Sequence, residues 1–352
     1  MISFLIAAVS FIVIILVLVL AHEIGHFVTA LIFKVRIIEF GVGFPPRVFA
    51  VKRGGVEYSI NAVPLGGFVK LAGEEDPKVP GALASKSYGV RILVLCAGCL
   101  MNLILPFLLF SVAYMLPHSI PKYDVTIKEV SAGSPAETAG IEPGDVLISI
   151  NGEPLNNFGD VQRIAQLNLG NEITITYKRG TAIKNVNLVP RWGQGAIGIR
   201  IESPPENPEI ISKSEPVWRA VPLGLEQMVD TYVLFKNQII IWIIGASPVQ
   251  VSGIVGIAEL TGEVAKAGIS PLFQLAAFIS INLGIVNIIP LPALDGGRIA
   301  FVALEMIRGG RRVSPRIEGL VHMIGFIILF GLMLLLIYRD IINIITSGTA
   351  LP

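Results

Sequence analysis

Charge is scarce in this sequence. Charged residues make up 15% of its 352 residues, against roughly 25% in an average soluble domain. With 53% hydrophobic residues and a mean hydropathy of +0.72, that shortage points away from a soluble protein and towards the bilayer. The net charge of +1 gives no basis for nucleic-acid binding, and no nucleic-acid partner is expected. Cysteine is equally sparse. Cys96 and Cys99 lie three apart in an apolar run, which rules out a disulfide framework and reads as helix packing. Only four histidines are present, so any two that fall close together carry weight.

Long apolar runs are what the chain has in place of charge. Stretches able to cross roughly 30 Å of hydrocarbon begin near Ile2, Val90, Pro271 and Leu320. The first lacks the basic leader and small-residue cleavage site of a signal peptide, so it is kept as a span. Basic residues set the orientation. Lys34, Arg36, Arg47, Lys52, Arg53, Lys70, Lys78 and Lys86 follow span one, and Arg298, Arg308, Arg311, Arg312 and Arg316 follow span three. Both loops are therefore expected in the cytoplasm, with both termini and the long insert outside. Tyr232 to Ala246 is short and interrupted by Lys236, Asn237 and Gln238. It reads as a helix on the outer membrane surface, since a fifth span would reverse the loop that carries Arg311 and Arg312.

The insert alternates instead of running apolar. Val125 to Val130 and Val146 to Ile150 have strand spacing, Asn151-Gly152 signals a hairpin turn, and Phe158 to Leu167 has helical spacing. Further strands are expected from Glu172 to Tyr177 and from Lys184 to Val189. The order, with Pro143-Gly144-Asp145, resembles a circularly permuted bacterial PDZ domain over residues 118–192. PDZ folds hold an extended peptide between a strand and a helix, here expected to be Val125–Val130 and Phe158–Leu167. A steric gate with no peptide ligand stands beside that reading.

Span one contains His22-Glu23-Ile24-Gly25-His26. Ionisable groups at membrane depth are costly and mark function. Residues four apart share a helix face, so both imidazoles can reach one metal ion. Glu23 lies about 100° around the helix, suited to proton transfer. A catalytic zinc takes three protein ligands, and the third candidate is Asp295. It follows Asn287-Ile288-Ile289-Pro290-Leu291-Pro292 at the end of span three, where prolines and the Gly296-Gly297 pair break the helix. Four spans bring Asp295 to the same side of the membrane as the histidines, and five would not.

His-Glu-x-x-His in the first span, Asn-x-x-Pro-x-x-x-x-Asp-Gly in a later one and a PDZ insert between them resemble the site-2 protease family, most closely its bacterial anti-sigma-factor-cleaving branch. The resemblance implies one Zn2+ held by His22, His26 and Asp295, with Glu23 as catalytic acid/base. It further implies Asn287, and more weakly Asn282, at the substrate or oxyanion. Pro64-Leu65-Gly66-Gly67 is similar to the family's membrane-associated β-hairpin loop, which makes Gly66 and Gly67 substrate-loop candidates. The chain departs from the family at Gly98-Cys99 and Gly253-Ile254, where Gly-Pro is usual.

The expected fold is thus a polytopic α-helical membrane protein of four transmembrane helices with a membrane-associated β-hairpin loop and an inserted α+β PDZ domain. The expected division is helix one over 1–33, the β loop over 34–88, helix two over 89–116 and the PDZ domain over 117–200. A linker with an amphipathic helix then covers 201–270, helix three 271–297, a basic loop 298–317, helix four 318–340 and an outer tail 341–352. The expected function is zinc-dependent intramembrane hydrolysis of single-span membrane proteins, such as anti-sigma factors or signal-peptide remnants, in a bacterial inner membrane. A catalytically inactive, membrane-anchored PDZ binding module is the alternative. The lipid bilayer, the substrate and a peptide C-terminus at the PDZ domain are the expected partners.

Overall fold

The computed structural model describes residues 2–74, 76–193, 195–248, 252–347 and 349–350. The chain divides into two compact units, one of Met1–Ala113 with Val251–Pro352 and one of Tyr114–Gln250.

The first unit begins with helix α1 (Ile2–Ile32). In hydrocarbon the backbone must satisfy its own hydrogen bonds, and an unbroken Leu, Ile, Val and Ala run does so as a helix. Val9, Val13 and Val17 are exposed along one stripe, while Leu18 and Ala30 are fully buried. Strands β1 (Ile37–Arg53) and β2 (Val56–Leu71) follow, joined at Gly54-Gly55 with both φ angles positive, as a two-residue hairpin turn requires. Phe40 pairs with Val69 on one side and Tyr58 on the other, and Phe49 pairs with Ile60. The hairpin therefore folds back on itself. Residues 37–44 lie between 56–61 and 67–71, and 47–53 pair outside 56–61. Residues 67–71 form an edge. Arg47 bridges Glu39 at 2.8 Å and Glu57 at 2.6 Å across this sheet. Helix α2 (Tyr88–Met115) then runs back through the unit.

The second unit holds β3 (His118–Lys122), β4 (Val125–Val130), α3 (Pro135–Thr138), β5 (Val146–Ile150), β6 (Glu153–Pro154), α4 (Phe158–Leu167), β7 (Ile173–Arg179), β8 (Ala182–Leu188), β9 (Ile199–Ile201), β10 (Glu209–Lys213) and α5 (Val217–Ile243). The main sheet runs β8-β7-β5-β4-β9, with β6 on β5, and β3 pairs with β10 separately. Alternating strand residues Val125, Ile127, Ile173, Ile175 and Tyr177 meet Val161, Ile164 and Ala165 of α4 in one core. The Asn151-Gly152 turn has positive φ at both residues and closes β5 on β6.

The chain returns to the first unit as α6 (Ile254–Ala267), α7 (Ile269–Ile288), α8 (Asp295–Ile307) and α9 (Pro315–Ser347). Among the described residues, α1, α2, α7 and α9 are long and apolar enough to cross a membrane. Ala30, Val35, Ile37, Leu71, Leu83, Val94, Leu95 and Val302 form a core where α1, the hairpin, α2 and α8 meet.

Several expectations need correction. Residues 298–317, read as a loop, begin with the greater part of helix α8, because Ile299 and Val302 supply an apolar face that packs into this core. The 201–270 linker holds two helices, and α5 starts well before Tyr232. Helix four extends over residues 315–347 and takes in part of the expected tail. Val125–Val130 cannot offer an edge to a peptide, since β5 and β9 flank it on both sides. An open groove lies between α4 and the segment leading into β9. It is a cavity of about 290 Å³ lined by Val161, Ala165, Ile197 and Ile199, with Gln238 and Ile241 of α5.

Candidate metal centre

The site begins with two helices that touch. A Cβ on Gly25 would collide with the Ala97 carbonyl, and one on Gly98 would lie 2.6 Å from His22 Nε2 and press against His26 Nε2. Glycine at both positions lets α1 and α2 cross closely enough to seat two imidazoles in the gap. His22 and His26, one turn apart on α1, are both buried.

Asp295 arrives from the opposite direction. Helix α7 stops at Ile288, and the chain passes through Ala293 at φ 75° before α8 begins at Asp295. A non-glycine residue in that region is strained, and Ala293 N–H is held by His322 Nδ1 at 2.9 Å. The turn delivers Asp295 Oδ2 to 2.9 Å from His22 Nε2 and 3.1 Å from His26 Nε2. The two Nε2 atoms are 3.2 Å apart.

These separations suit a metal ion. Tetrahedral zinc with bonds of about 2.0–2.1 Å sets its ligands roughly 3.3 Å apart. The second test is the tautomer. His26 Nδ1 lies 2.8 Å from the Val94 carbonyl, which can only accept, so the ring proton sits on Nδ1. Its Nε2 lone pair is left for a cation, the usual arrangement of a metal-binding histidine. Two neutral imidazoles and one carboxylate form a donor set that fits Zn2+. Glu23 stands beside them on α1, and the hairpin edge reaches it: a Cβ on Gly67 would lie 3.5 Å from Glu23 Cγ.

Residues 10–332 match the family model described as Peptidase family M50. The chain belongs to peptidase family M50. This is the site-2 protease family that the motifs resemble. The family M50 chain is 35% identical over 333 residues to a Clostridium acetobutylicum protein provisionally named a zinc metalloprotease, covering 93% of this chain and 94% of that one. A Clostridium perfringens protein with the same provisional name is 33% identical, with 92% and 95% covered. An Arabidopsis thaliana chloroplast protein, provisionally named a membrane metalloprotease, is 28% identical over 93% of this chain and 78% of its own length. The PDZ domain of an SdrC-like protein from Listeria monocytogenes covers 23% of this chain and 90% of its own at 21% identity. Its TM-score of 0.21 carries no argument about the fold.

Within the M50 chain the structure brings His22, His26 and Asp295 together, with Glu23 and Gly67 adjoining. Gly66 sits against Phe44 in the hairpin instead. Among the described residues, no hydrogen bond joins Asn282 or Asn287 of α7 to that cluster. Asn282 Nδ2 donates to Phe278 O of its own helix at 2.8 Å. Asn287 is half-buried near the end of α7. Sequence reading, which takes Asn102 for a helix-packing hydrogen bond, gives the α2 face no part in the site. Val94, Gly98 and Asn102 fall at successive helical turns opposite the histidines, and Cys99 Sγ lies 3.8 Å from Asp295 Oδ2. Asn102 in an otherwise apolar span was the available signal.

Proposed function

We propose that this chain is a zinc-dependent intramembrane endopeptidase acting on single-span membrane proteins, as in regulated intramembrane proteolysis. The convergence of Asp295 on His22 and His26 beside Glu23, the last three carried by a helix apolar enough to span a bilayer, carries the reading. The zinc-metalloprotease names of its relatives support the choice of metal. His22, His26 and Asp295 would hold one Zn2+. When bound, zinc supplies Lewis acidity and lowers the pKa of a coordinated water to ~7. Glu23 takes the proton as the water oxygen bonds to the peptide carbon. As the C–N bond breaks, Glu23 delivers that proton to the leaving amine. Asn287 is assigned to the oxyanion and Asn282, already engaged with Phe278, is the weaker candidate.

A helical substrate hides its peptide bonds and must unwind before hydrolysis. The 67–71 edge of the hairpin offers backbone groups for pairing beside Glu23, where water is scarce. In this reading the site lies near the cytoplasmic side of a bacterial inner membrane, with both termini and residues 114–250 outside, and the basic loops support that orientation. A peptide C-terminus would enter the groove between α4 and β9, where α5 contributes a wall.

The test uses purified chain in detergent with a tagged single-span substrate. Cleavage within the substrate's apolar segment, abolished by a zinc chelator and restored by zinc, is the expected result. Cleavage unaffected by chelation, or confined to soluble flanks, contradicts the proposal.

A further inference from the structure

Both imidazoles of the candidate centre are addressed by α2. Val94 and Asn102 lie eight residues apart on one stripe, with Gly98 midway. Val94 O faces His26 Nδ1 at 2.8 Å, and the Asn102 amide faces His22 Nδ1 at 3.4 Å. Asn102 is fully buried. Its backbone carbonyl accepts from Ser280 Oγ of α7 at 2.8 Å, which fixes the residue from the far side. Its side-chain Oδ1 has no hydrogen-bond partner among the described residues. A buried amide oxygen without a donor is costly, and its position next to a candidate ligand calls for a reason.

The amide can present either of its atoms to His22 after a half-turn of its end group. With Nδ2 towards the ring, the amide donates to Nδ1 and the imidazole proton must sit on Nε2. That proton blocks the atom that faces Asp295. With Oδ1 towards the ring, Nδ1–H donates to Asn102, and the Nε2 lone pair is free for the cation. The orphaned oxygen thus finds its donor in the state where His22 is a ligand. Val94 O already imposes the same tautomer on His26, because a carbonyl cannot donate.

We propose that Asn102 is the positioning residue that selects the metal-binding tautomer of His22 through its amide oxygen. It touches neither the reacting atoms nor the metal. The inference rests on the proposed zinc site and makes a separate prediction about affinity. Removing such an outer partner typically costs 10–100-fold in metal affinity.

The experiment measures zinc dissociation constants of the full chain in detergent by chelator competition, alongside the visible spectrum of the Co2+ form. Wild type comes first, and failure to bind zinc there defeats the proposed function itself. Given wild-type binding, Asn102→Leu, which lacks an acceptor, is expected to weaken zinc 10–100-fold and alter the cobalt spectrum. Asn102→Asp, an acceptor alone, is expected to stay within about threefold of wild type. Ser280→Ala, which loses only the backbone tether, controls for packing and is expected to bind like wild type. Wild-type affinity in Asn102→Leu overturns the inference. If Asn102→Leu does not fold, Asn102→Asp decides: retained affinity supports the acceptor role, and a tenfold loss contradicts it.

Discussion

At the scale of residues, the centre is built from what two side chains offer and one lacks. His22 and His26 could be read from four-residue spacing, and Asp295 as an acid at the end of an apolar span. Gly98 could not be read, because a glycine in a membrane helix shows its purpose only when the neighbouring helix is in place. A methyl group there would occupy the space of both Nε2 atoms. Gly98→Ala is accordingly expected to lose bound zinc while α-helical content is retained, measured by metal analysis and circular dichroism. Full zinc occupancy in Gly98→Ala would mean the helices can separate at no cost. Cys99 carries the converse lesson. Its sequence context says packing, yet its sulfur reaches Asp295.

At the scale of elements, α8 matters most to the site because its first residue is Asp295. Its other end is fixed by charge. Glu305 receives Arg91 of α2 at 2.7 Å and Arg312 at 2.9 Å, and both Arg91 and Glu305 are buried. Breaking one side of a buried pair leaves an uncompensated charge, at a cost of about 3–5 kcal/mol. Glu305→Gln should lower thermal stability in detergent and weaken zinc binding through a displaced Asp295, with Arg91→Met/Glu305→Met recovering much of the stability. Unchanged unfolding and metal affinity in Glu305→Gln would show that α8 is held otherwise. The helix itself was hidden in the sequence by Gly296-Gly297, which read as a terminator but instead permits the close first turn against Ile288 and Ile289. The β elements were more legible. Alternation and the Asn151-Gly152 turn located β4 and β5, and helical spacing located α4, whereas the pairing of β9 beside β4 links segments far apart in the chain and leaves no local signal.

Just before β5, Asp145 gives a pH dependence with a defined sign. Burial pushes its carboxyl up, but hydrogen bonds from Arg179 and the Glu142 backbone N–H outweigh this and hold it below the usual carboxylate range. A depressed folded pKa contributes stability that is present above the unfolded value of about 3.9 and lost as pH falls through the folded one. Melting of the full chain should therefore show a transition that weakens below about pH 4, with the slope reduced in Asp145→Asn. An identical acid profile in that variant would remove Asp145 from the account.

At the scale of the whole molecule, composition announced the bilayer, and four helices among the described residues are long and apolar enough to cross it. The proposed orientation rests on loop charge alone. Reporter fusions are expected to place residues near Lys184 outside and residues near Arg311 in the cytoplasm, and the opposite pattern would invert the proposed topology. In the proposed topology four spans would bring His22, His26 and Asp295 to one depth, and a fifth would separate them.

The central claim is that Glu23 performs proton transfer at a zinc site formed by His22, His26 and Asp295. Its most direct test sets purified wild type beside Glu23→Gln with one tagged single-span substrate, after zinc has been counted in both. The account predicts one zinc in each protein and cleavage by wild type alone. Cleavage by Glu23→Gln at the wild-type rate, with zinc in place, would contradict it.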